Sequence, residues 1–351
     1  MGLFLLLLVF WAGFIIYLFA EKYRLDQYKK SIPIRIAVNG TRGKTGAARM
    51  IASALRANGI KVCAKTSGSE TRFINPDGSE ETVPRTGSPS VIEQVRMMRK
   101  ASALGAKAIV YEIMGIQPEH QILESKKIIN PAYTVIVNAR IDHPEQGESK
   151  AEVMKNYLSA VPTGSRIFRP PNTDENYDKT RLVLELCRSL GLDEELCGKA
   201  IHEAEMDKGA FRIFHCEKTH YCNLFAVNDV QSTRFLMDRL YPGYRVGLFN
   251  SRLDRPWRSL QFVKAAQDGL FDDIRFFFVM GNGAALFRRK LLGRAMIIKS
   301  NDPRKIMDTI KKTISPLDDS QNSTVQIIGM GNIKGAEALL DYWQAESISL
   351  S

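Results

Sequence analysis

The chain has 351 residues, of which 44% are hydrophobic and 25% charged, and its formal net charge is +11. Its size and composition are those of a globular protein of about two domains. The positive charge favours an anionic membrane surface or a polyanionic substrate. No nucleic-acid partner is expected, because no zinc finger, aromatic RNA-binding motif or periodic basic helix accompanies the charge.

Residues 1–20 carry no charged side chain and are rich in Leu, Phe and Ile. About 20 such residues suffice for a helix to cross a bilayer, so this segment is predicted to be a transmembrane anchor. A cleaved signal peptide is the alternative, but the positive n-region is missing and the apolar stretch is too long. Four basic residues follow the segment and none precedes it, which predicts that the remainder lies in the cytoplasm. They are Lys22, Arg24, Lys29 and Lys30.

A polar linker over 21–32 is followed by a predicted buried strand over 33–38 and a helix that ends near residue 58. A glycine-rich loop lies between strand and helix: Asn39, Gly40, Thr41, Arg42, Gly43, Lys44 and Thr45. Backbone N–H groups in such a loop bind phosphate oxygens, and the helix dipole adds to the attraction.

In this interpretation Lys44 neutralises phosphate charge and Thr45 holds Mg²⁺. The ordinary phosphate-loop pattern requires Gly where Val38 stands, so a purely structural glycine turn is the alternative. The strand before the loop and the helix after it favour phosphate binding.

Further strands are predicted at 61–64, 108–113 and 132–138, with a helix at 90–104. Alternating strands and helices predict an α/β fold with a mainly parallel sheet, whose ligands gather at the carboxyl ends of the strands. The segment 68–87 is rich in Gly, Pro, Ser and Thr. It is interpreted as a surface loop, either folding over substrate or a tolerated insertion.

Two residues are candidates to complete a metal site at this edge. Glu112 ends a predicted strand, and His143 follows the strand that ends at Asn138. Mg²⁺ prefers oxygen ligands, so Glu112 is the more natural partner of Thr45. A histidine in the position of His143 is also typical of a cap or a hydrogen-bonded loop.

A second α/β series begins near residue 211, with strands predicted at 245–249, 274–280, 295–298 and 324–328. The predicted organisation is therefore an anchor at 1–20, a linker at 21–32, a central domain at 33–209 and a C-terminal domain at 210–351. The five cysteines include no CxxC pair, which indicates a reducing compartment.

Closely spaced His215, Cys216, His220 and Cys222 allow a metal site as one interpretation. Their spacing matches no standard zinc arrangement, so a hairpin that turns near Lys218 and Thr219 is favoured.

The loop sequence from Val38 to Thr45 resembles the phosphate loop of Mur ligases and folylpolyglutamate synthetases. Six further segments, in order along the chain, resemble one branch of that superfamily, the PgsB/CapB family of poly-γ-glutamate synthases. They are residues 112–118, 137–143, 209–212, 226–229, 250–255 and 329–336. The resemblance implies a phosphate-loop central domain and a Rossmann-like C-terminal domain.

The resemblance also implies roles for individual residues. Thr45, Glu112 and His143 would surround Mg²⁺, while Lys44 and the loop amides of 39–45 would hold the ATP triphosphate. Arg212 would approach the γ-phosphate, and the pair Asn228 and Asp229 would meet the ribose. The C-terminal domain would close onto ATP and exclude water from a reactive intermediate.

A stretch resembling the family's Lys-Thr-Thr-Gly contributes Lys65, Thr66 and Ser67, with Arg72 a few residues on. Their cations would bind glutamate carboxylates, or the stretch is a solvated loop. Gln231 stands where many Mur ligases have Lys, and no Lys occupies the family's carbamylated position near Leu158. These two departures weaken the resemblance at a second metal ion, so one metal ion or two stays open.

The implied function is an ATP-dependent amide ligase that activates a glutamate carboxylate as an acyl phosphate and builds poly-γ-glutamate at the membrane. The implied partners are glutamate, poly-γ-glutamate, CapC/PgsC-like and CapA/PgsA-like subunits, and a homo-oligomer is compatible with it. Alternatives are a nucleotide-binding regulatory or assembly protein and a ligase with another acidic acceptor. A GTPase-like switch lacks support, because Asn138 does not begin an Asn-Lys-x-Asp motif.

Overall fold

The computed structural model describes residues 2–68, 71–85, 87, 89–141, 144–171, 178–204, 209–216, 218–227, 229–291, 293–314 and 324–348. The chain divides into two compact units, Met1–Glu205 and Met206–Ser351. Each unit contains one α/β sheet. The α/β fold class predicted from the sequence is confirmed.

The first element is α1 (Gly2–Ser31), a helix long and apolar enough to cross a membrane by length and composition. It does not end at residue 20 but continues through the predicted linker, where no Gly or Pro interrupts it before Pro33. In this second half Leu25 and Tyr28 pack against the unit 1 core that contains Ile32. The helix is thus joined rigidly to the first unit.

Unit 1 contains a seven-stranded sheet in the order β4-β3-β2-β5-β1-β6-β7. Its strands are β1 (Ile34–Asn39), β2 (Val62–Thr66), β3 (Arg72–Ile74), β4 (Glu80–Thr82), β5 (Ala108–Glu112), β6 (Tyr133–Ile136) and β7 (Arg166–Phe168). Five strands run parallel, and β3 and β4 pair antiparallel at one edge. The segment 68–87, interpreted as a loop, therefore includes two short edge strands.

The helices of unit 1 cover both faces of its sheet, as a parallel sheet requires. After α2 (Lys44–Ala57) and α3 (Glu93–Ala103), α4 (Pro118–Ile122) continues as a π-helical segment, Leu123–Ile129. A 3-10 turn (Pro144–Gln146) and α5 (Lys150–Ser159) precede α6 (Lys179–Ser189) and α7 (Glu194–His202). α2, α6 and α7 pack together on one face, whereas α1, α3 and the π-helical segment cover the other.

Unit 2 contains a six-stranded sheet in the order β12-β11-β10-β13-β9-β8, parallel except for the β8–β9 pair. Its strands are β8 (Arg212–Cys216), β9 (Thr219–Asn223), β10 (Tyr244–Asn250), β11 (Ile274–Met280), β12 (Ala295–Ile297) and β13 (Val325–Gly331). Its helices are α8 (Val230–Met237), α9 (Pro256–Gln267), α10 (Ala284–Lys290), α11 (Pro303–Ile314) and α12 (Glu337–Ile348). The four strands predicted beyond residue 240 are all present.

The predicted hairpin near Lys218 is confirmed, since β8 and β9 pair antiparallel. The rings of His215 and His220 meet across it at a centroid distance of 4.5 Å. Cys216 and Cys222 belong to the cores on opposite faces of the sheet. Among the described residues no group of three or more His, Cys, Asp or Glu side chains is arranged to hold a metal. The hairpin therefore accounts for this cluster.

All five cysteines are buried free thiols, and burial raises the pKa of Cys63 to about 11 and of Cys222 to about 12. The thiolate is the reactive species. We therefore expect the folded protein at pH 8 to react slowly with Ellman's reagent. The protein unfolded in guanidinium should promptly release five equivalents of thionitrobenzoate, one for each thiol. Rapid release of one equivalent from the folded protein would contradict this prediction.

Candidate active site

The glycine-rich loop connects β1 to α2 and turns at two glycines, Gly40 with φ 132° and Gly43 with φ 81°. A Cβ atom on Gly40 would lie 3.0 Å from the carbonyl oxygen of Asn138. Both positions therefore favour glycine, one for close approach and both for their positive φ. As a result the loop backbone wraps around the N-terminus of α2 at the carboxyl edge of the sheet.

Two side-chain clamps hold this loop against the segment that follows β6. The amide of Asn138 accepts from the Arg42 N–H at 3.0 Å and donates to the Arg42 carbonyl at 2.9 Å. The Thr41 hydroxyl accepts from the Arg140 N–H at 2.8 Å and donates to the Arg140 carbonyl at 3.0 Å. The clamp residue Asn138 was not identified as such from the sequence, where it marked only a strand end.

Asn39 is buried and holds the start of the loop. Its Oδ1 accepts from the Gly40 N–H at 2.8 Å, and its Nδ2 donates to Gln121 Oε1 at 3.1 Å. These hydrogen bonds hold the side chain inside the protein and fix the start of the loop, and the predicted contact of Asn39 with the nucleotide stays a prediction.

Lys44 and Thr45 are the first two residues of α2. The Lys44 ammonium donates to the Gly40 carbonyl at 2.7 Å, so it lies across the loop. Backbone N–H groups, the positive end of the helix dipole and this ammonium are all suited to an anion. This arrangement is compatible with the predicted phosphate site, and phosphate binding by these residues stays a prediction.

Glu112 ends β5, which neighbours β1, and its carboxylate therefore reaches the same edge of the sheet. Its Oε2 accepts from the Thr45 hydroxyl at 2.9 Å and from the Ser67 N–H at 2.7 Å. A hydroxyl and a carboxylate beside a phosphate loop are the oxygen donors that Mg²⁺ prefers, so these two residues fit that ion. His143, the third predicted ligand, lies outside the described residues.

The backbone after Glu112 is held by Glu124 of the π-helical segment. Its carboxylate accepts from the Gly115 N–H at 2.9 Å and from the Met114 N–H at 3.1 Å, and it also accepts from the Gln94 amide. Burial raises the pKa of Glu124. No sequence pattern indicated this residue, which fixes the chain immediately beyond the candidate metal ligand.

The predicted substrate residues occupy different environments. Lys65 is fully buried, with its Nζ 3.2 Å from Met114 Sδ and 3.6 Å from Glu93 Oε2, and burial lowers its pKa. Thr66 is also buried, and its hydroxyl has no hydrogen-bond partner among the described residues. Arg72 is half-buried in β3. Of these four residues, Ser67 is the one whose printed hydrogen bond reaches Glu112, and a role of the other three in substrate binding stays a prediction.

Lys179, at the start of α6, was not among the residues predicted from the sequence. Its Nζ lies 3.0 Å from where a Cβ on Gly46 would be, beside the first turn of α2. Burial lowers its pKa. It adds a second ammonium near the phosphate loop, and only the tertiary packing of α6 against α2 reveals it.

The candidate residues of unit 2 lie on and just after its first two strands, β8 and β9. Arg212 opens β8 and is half-buried. Asp229 is the N-cap of α8, and its carboxylate accepts from the Ser232 N–H at 2.7 Å. Asn228 lies outside the described residues. Capping is the role that this geometry gives Asp229, and its contact with ribose stays a prediction.

Two further motifs of unit 2 meet at the carboxyl ends of β10 and β13. The Asn250 amide donates to the carbonyls of Asn332 at 2.6 Å and Lys334 at 3.0 Å. The Arg258 guanidinium donates to Asn332 Oδ1 at 2.7 Å. The segments 250–255 and 329–336, far apart in sequence, are thus joined into one edge.

Comparison with known proteins matches both units to described families. The Mur ligase middle domain matches residues 38–161, and the poly-gamma-glutamate synthase CapB C-terminal domain matches residues 210–346. The chain is similar to PGA synthase CapB of Bacillus subtilis (strain 168), with 28% identity over 289 residues, 69% of this chain and 74% of that protein. It is also similar to the capsule biosynthesis protein CapB of Bacillus anthracis, with 28% identity over 280 residues, 67% of this chain and 60% of that protein.

Among solved structures, one similar fold is a bifunctional folylpolyglutamate synthase/dihydrofolate synthase from Yersinia pestis, complexed with AMPPNP and a Mn ion. The TM-score is 0.62 at 14% identity, over 91% of this chain and 92% of that one. The phosphate loop and Glu112 lie in the part of the chain that matches the Mur ligase middle domain. The first unit thus carries a match to the Mur ligase middle domain and the second a match to the poly-gamma-glutamate synthase CapB C-terminal domain, and the chain is an ATP-dependent amide ligase.

Proposed function

We propose that the chain is the membrane-anchored, ATP-using component of a poly-γ-glutamate synthase. The observation that carries this proposal is the Thr45–Glu112 pair, at 2.9 Å, facing the phosphate loop. The names of the two Bacillus relatives supply the product, since both are CapB proteins of polymer or capsule synthesis.

In the proposed reaction a carboxylate oxygen of glutamate or polyglutamate attacks the γ-phosphorus of ATP, giving an acyl phosphate and ADP. The amine of a glutamate then attacks the acyl carbon, phosphate leaves, and the nitrogen loses a proton. Lys44 and the loop N–H groups would stabilise the charge on the transferring phosphoryl group. Mg²⁺ held by Thr45 and Glu112 would neutralise phosphate charge at the same edge.

The other assignments rest on the family resemblance. His143 would complete the metal site, Arg212 would approach the γ-phosphate, and Asn228 with Asp229 would meet the ribose. Lys65 is buried among carboxylates, so it would attract a substrate carboxylate only electrostatically, without direct contact. Arg72 on β3 is half-buried and would be the residue able to contact that carboxylate.

The proposed location is the membrane, with α1 spanning it once and both units in the cytoplasm. The apolar span and the four cations directly after it support this orientation. CapC/PgsC-like and CapA/PgsA-like subunits are the proposed partners for polymer extension and export.

Trapping with hydroxylamine tests the acyl phosphate directly. We expect the purified chain, with ATP, Mg²⁺ and glutamate or its oligomers, to form a hydroxamate, because hydroxylamine competes with the natural amine. Parallel reactions without ATP or without the acid should give none. ATP turnover with no hydroxamate would contradict the ligase mechanism for these acids and favour a regulatory role or another acceptor.

A further inference from the structure

A basic cleft lies where α1 meets the first unit, at the beginning of β1, the strand whose opposite end leads into the phosphate loop. Its volume is about 410 Å³. It is lined by Tyr23, Asp26, Gln27, Lys29, Lys30, Arg35 and Asn130. Three cations and one carboxylate leave this lining with two net positive charges.

The cleft follows from how the second half of α1 is divided between two faces. Leu25 and Tyr28 face the core. Tyr23, Gln27 and Lys30 recur at intervals of four and three residues, so they share the other face. The helix thus forms one wall of the cleft, and the start of β1 with the end of the π-helical segment forms the rest.

Arg35 is the residue that points to a ligand. It is half-buried, and its Nε and Nη1 donate only to backbone carbonyls, among them Ile32 at 2.8 Å and Asn130 at 3.0 Å. Within the described part of the chain its Nη2 has no acceptor and no carboxylate pairs with it. Burial lowers its pKa, as expected for a desolvated cation without a counter-ion. Its guanidinium therefore keeps a positive charge that no carboxylate in the described residues neutralises, and its Nη2 is left to donate to an anion or to water.

The neighbouring lysines are also available to an anion. Lys30 is exposed and forms no ion pair or hydrogen bond within the described residues. Lys29 is only loosely paired with Asp26, at 3.5 Å, and donates to the Lys127 carbonyl at 2.8 Å. The single carboxylate of the cleft therefore does not neutralise its three cations.

The position of the cleft decides which anion it meets. Tyr23 lies three residues beyond Ala20 and Lys30 ten residues beyond it, or about 4.5 and 15 Å along the helix axis. Helical side chains tilt toward the N-terminus, here toward the bilayer, and a lysine adds several ångströms of reach. The polar headgroup layer is roughly 5–8 Å thick on each side of the hydrocarbon core. The rim of the cleft at Tyr23 therefore lies in the headgroup layer, and its lysine ammonium groups extend toward that layer from just beyond it.

We propose that this cleft binds the phosphate headgroup of an anionic phospholipid in the membrane that α1 spans. The inference rests on the membrane location proposed above and is independent of the ligase chemistry. Lys29 and Lys30 would extend toward the phosphate, Arg35 would add positive charge from the start of β1, and Tyr23 would lie at the lipid–water boundary. A bound headgroup would fix the first unit against the bilayer surface.

The test uses the full chain in nanodiscs of phosphatidylcholine with phosphatidylglycerol, and counts the phosphatidylglycerol molecules retained by native mass spectrometry. Lys30→Gln removes one cation inside the cleft, and Arg24→Gln removes one outside it but nearer the span. We expect Lys30→Gln to lower the apparent affinity for phosphatidylglycerol about fivefold, which is the typical contribution of one basic residue near an anionic membrane surface. Arg24→Gln should lower this affinity less. General surface attraction predicts the reverse order, because Arg24 is closer to the bilayer.

An equal effect of the two variants, or a larger effect of Arg24→Gln, would overturn the proposal. Displacement of the lipid by millimolar inorganic phosphate would also overturn it, because the site would then serve a soluble anion. Melting temperature and hydroxamate formation, expected to be unchanged in both variants, are measured in parallel. A chain that forms hydroxamate but does not insert into nanodiscs would refute the lipid site and the anchor while leaving the ligase intact.

Discussion

Lys44→Ala should reduce ATP-dependent amide formation by about 10²–10³-fold, the loss typical of removing one preorganised charge-stabilising group. The Lys44 ammonium lies across the phosphate loop, 2.7 Å from the Gly40 carbonyl, and no other lysine belongs to the loop. Initial rates of hydroxamate formation at saturating ATP measure the effect.

The matched control is Lys199→Ala, the same truncation on α7, away from the phosphate loop in sequence. Both variants should melt within a few degrees of the parent in circular dichroism, since neither lysine is in a core. Ligation retained by a folded Lys44→Ala variant would refute the assignment of the phosphate loop.

Glu112→Gln should raise the Mg²⁺ concentration that gives half-maximal activity. Mutating a residue that only hydrogen-bonds to a metal ligand typically weakens metal binding roughly 10–100-fold, and loss of a ligand itself should cost at least as much. The amide keeps the size of the side chain and an oxygen that can accept from the Thr45 hydroxyl, but it removes the negative charge. The Mg²⁺ dependence of ATP turnover measures this change.

Glu119→Gln on α4 makes the same substitution at an exposed position and should leave the Mg²⁺ dependence unchanged. Circular dichroism separates a metal effect from misfolding, because Glu112 is buried and also accepts from the Ser67 N–H. An unchanged Mg²⁺ midpoint in active Glu112→Gln protein would show that this carboxylate does not hold the ion.

The parts of the site that the sequence predicted are those encoded locally. The phosphate loop is one contiguous segment with glycines at its turns, and Glu112 is recognisable as the end of a strand. Because parallel strands end at one edge of a sheet, the sequence also predicts that Thr45 and Glu112 approach each other, and in the structure they do.

The residues that were missed depend on contacts between distant segments. Lys179 reaches the phosphate loop only because α6 packs on α2, and Glu124 reaches Gly115 only through the π-helical segment. Asn138 looked like the end of a strand, whereas its amide bridges Arg42 from a distance of 96 residues. Periodicity and composition carry no signal for such pairs.

Two departures in the fold have local causes. The strands β3 and β4 are three residues each and lie at a sheet edge, so their polar, turn-rich sequence resembles a loop. Residues 21–31 are polar yet helical, because they combine good helix formers with an apolar face that packs on the core. Polarity alone did not distinguish a flexible tether from a docked helix.

The unbroken course of α1 has a mechanical consequence. Residues 21–31 give the helix about 16 Å beyond the end of its apolar part. In the proposed membrane-spanning arrangement, a continuous helix would fix both the distance and the orientation of the first unit relative to the bilayer. A short glycine insertion after Ala20 would uncouple the apolar half of the helix from the first unit while leaving the predicted catalytic residues in place.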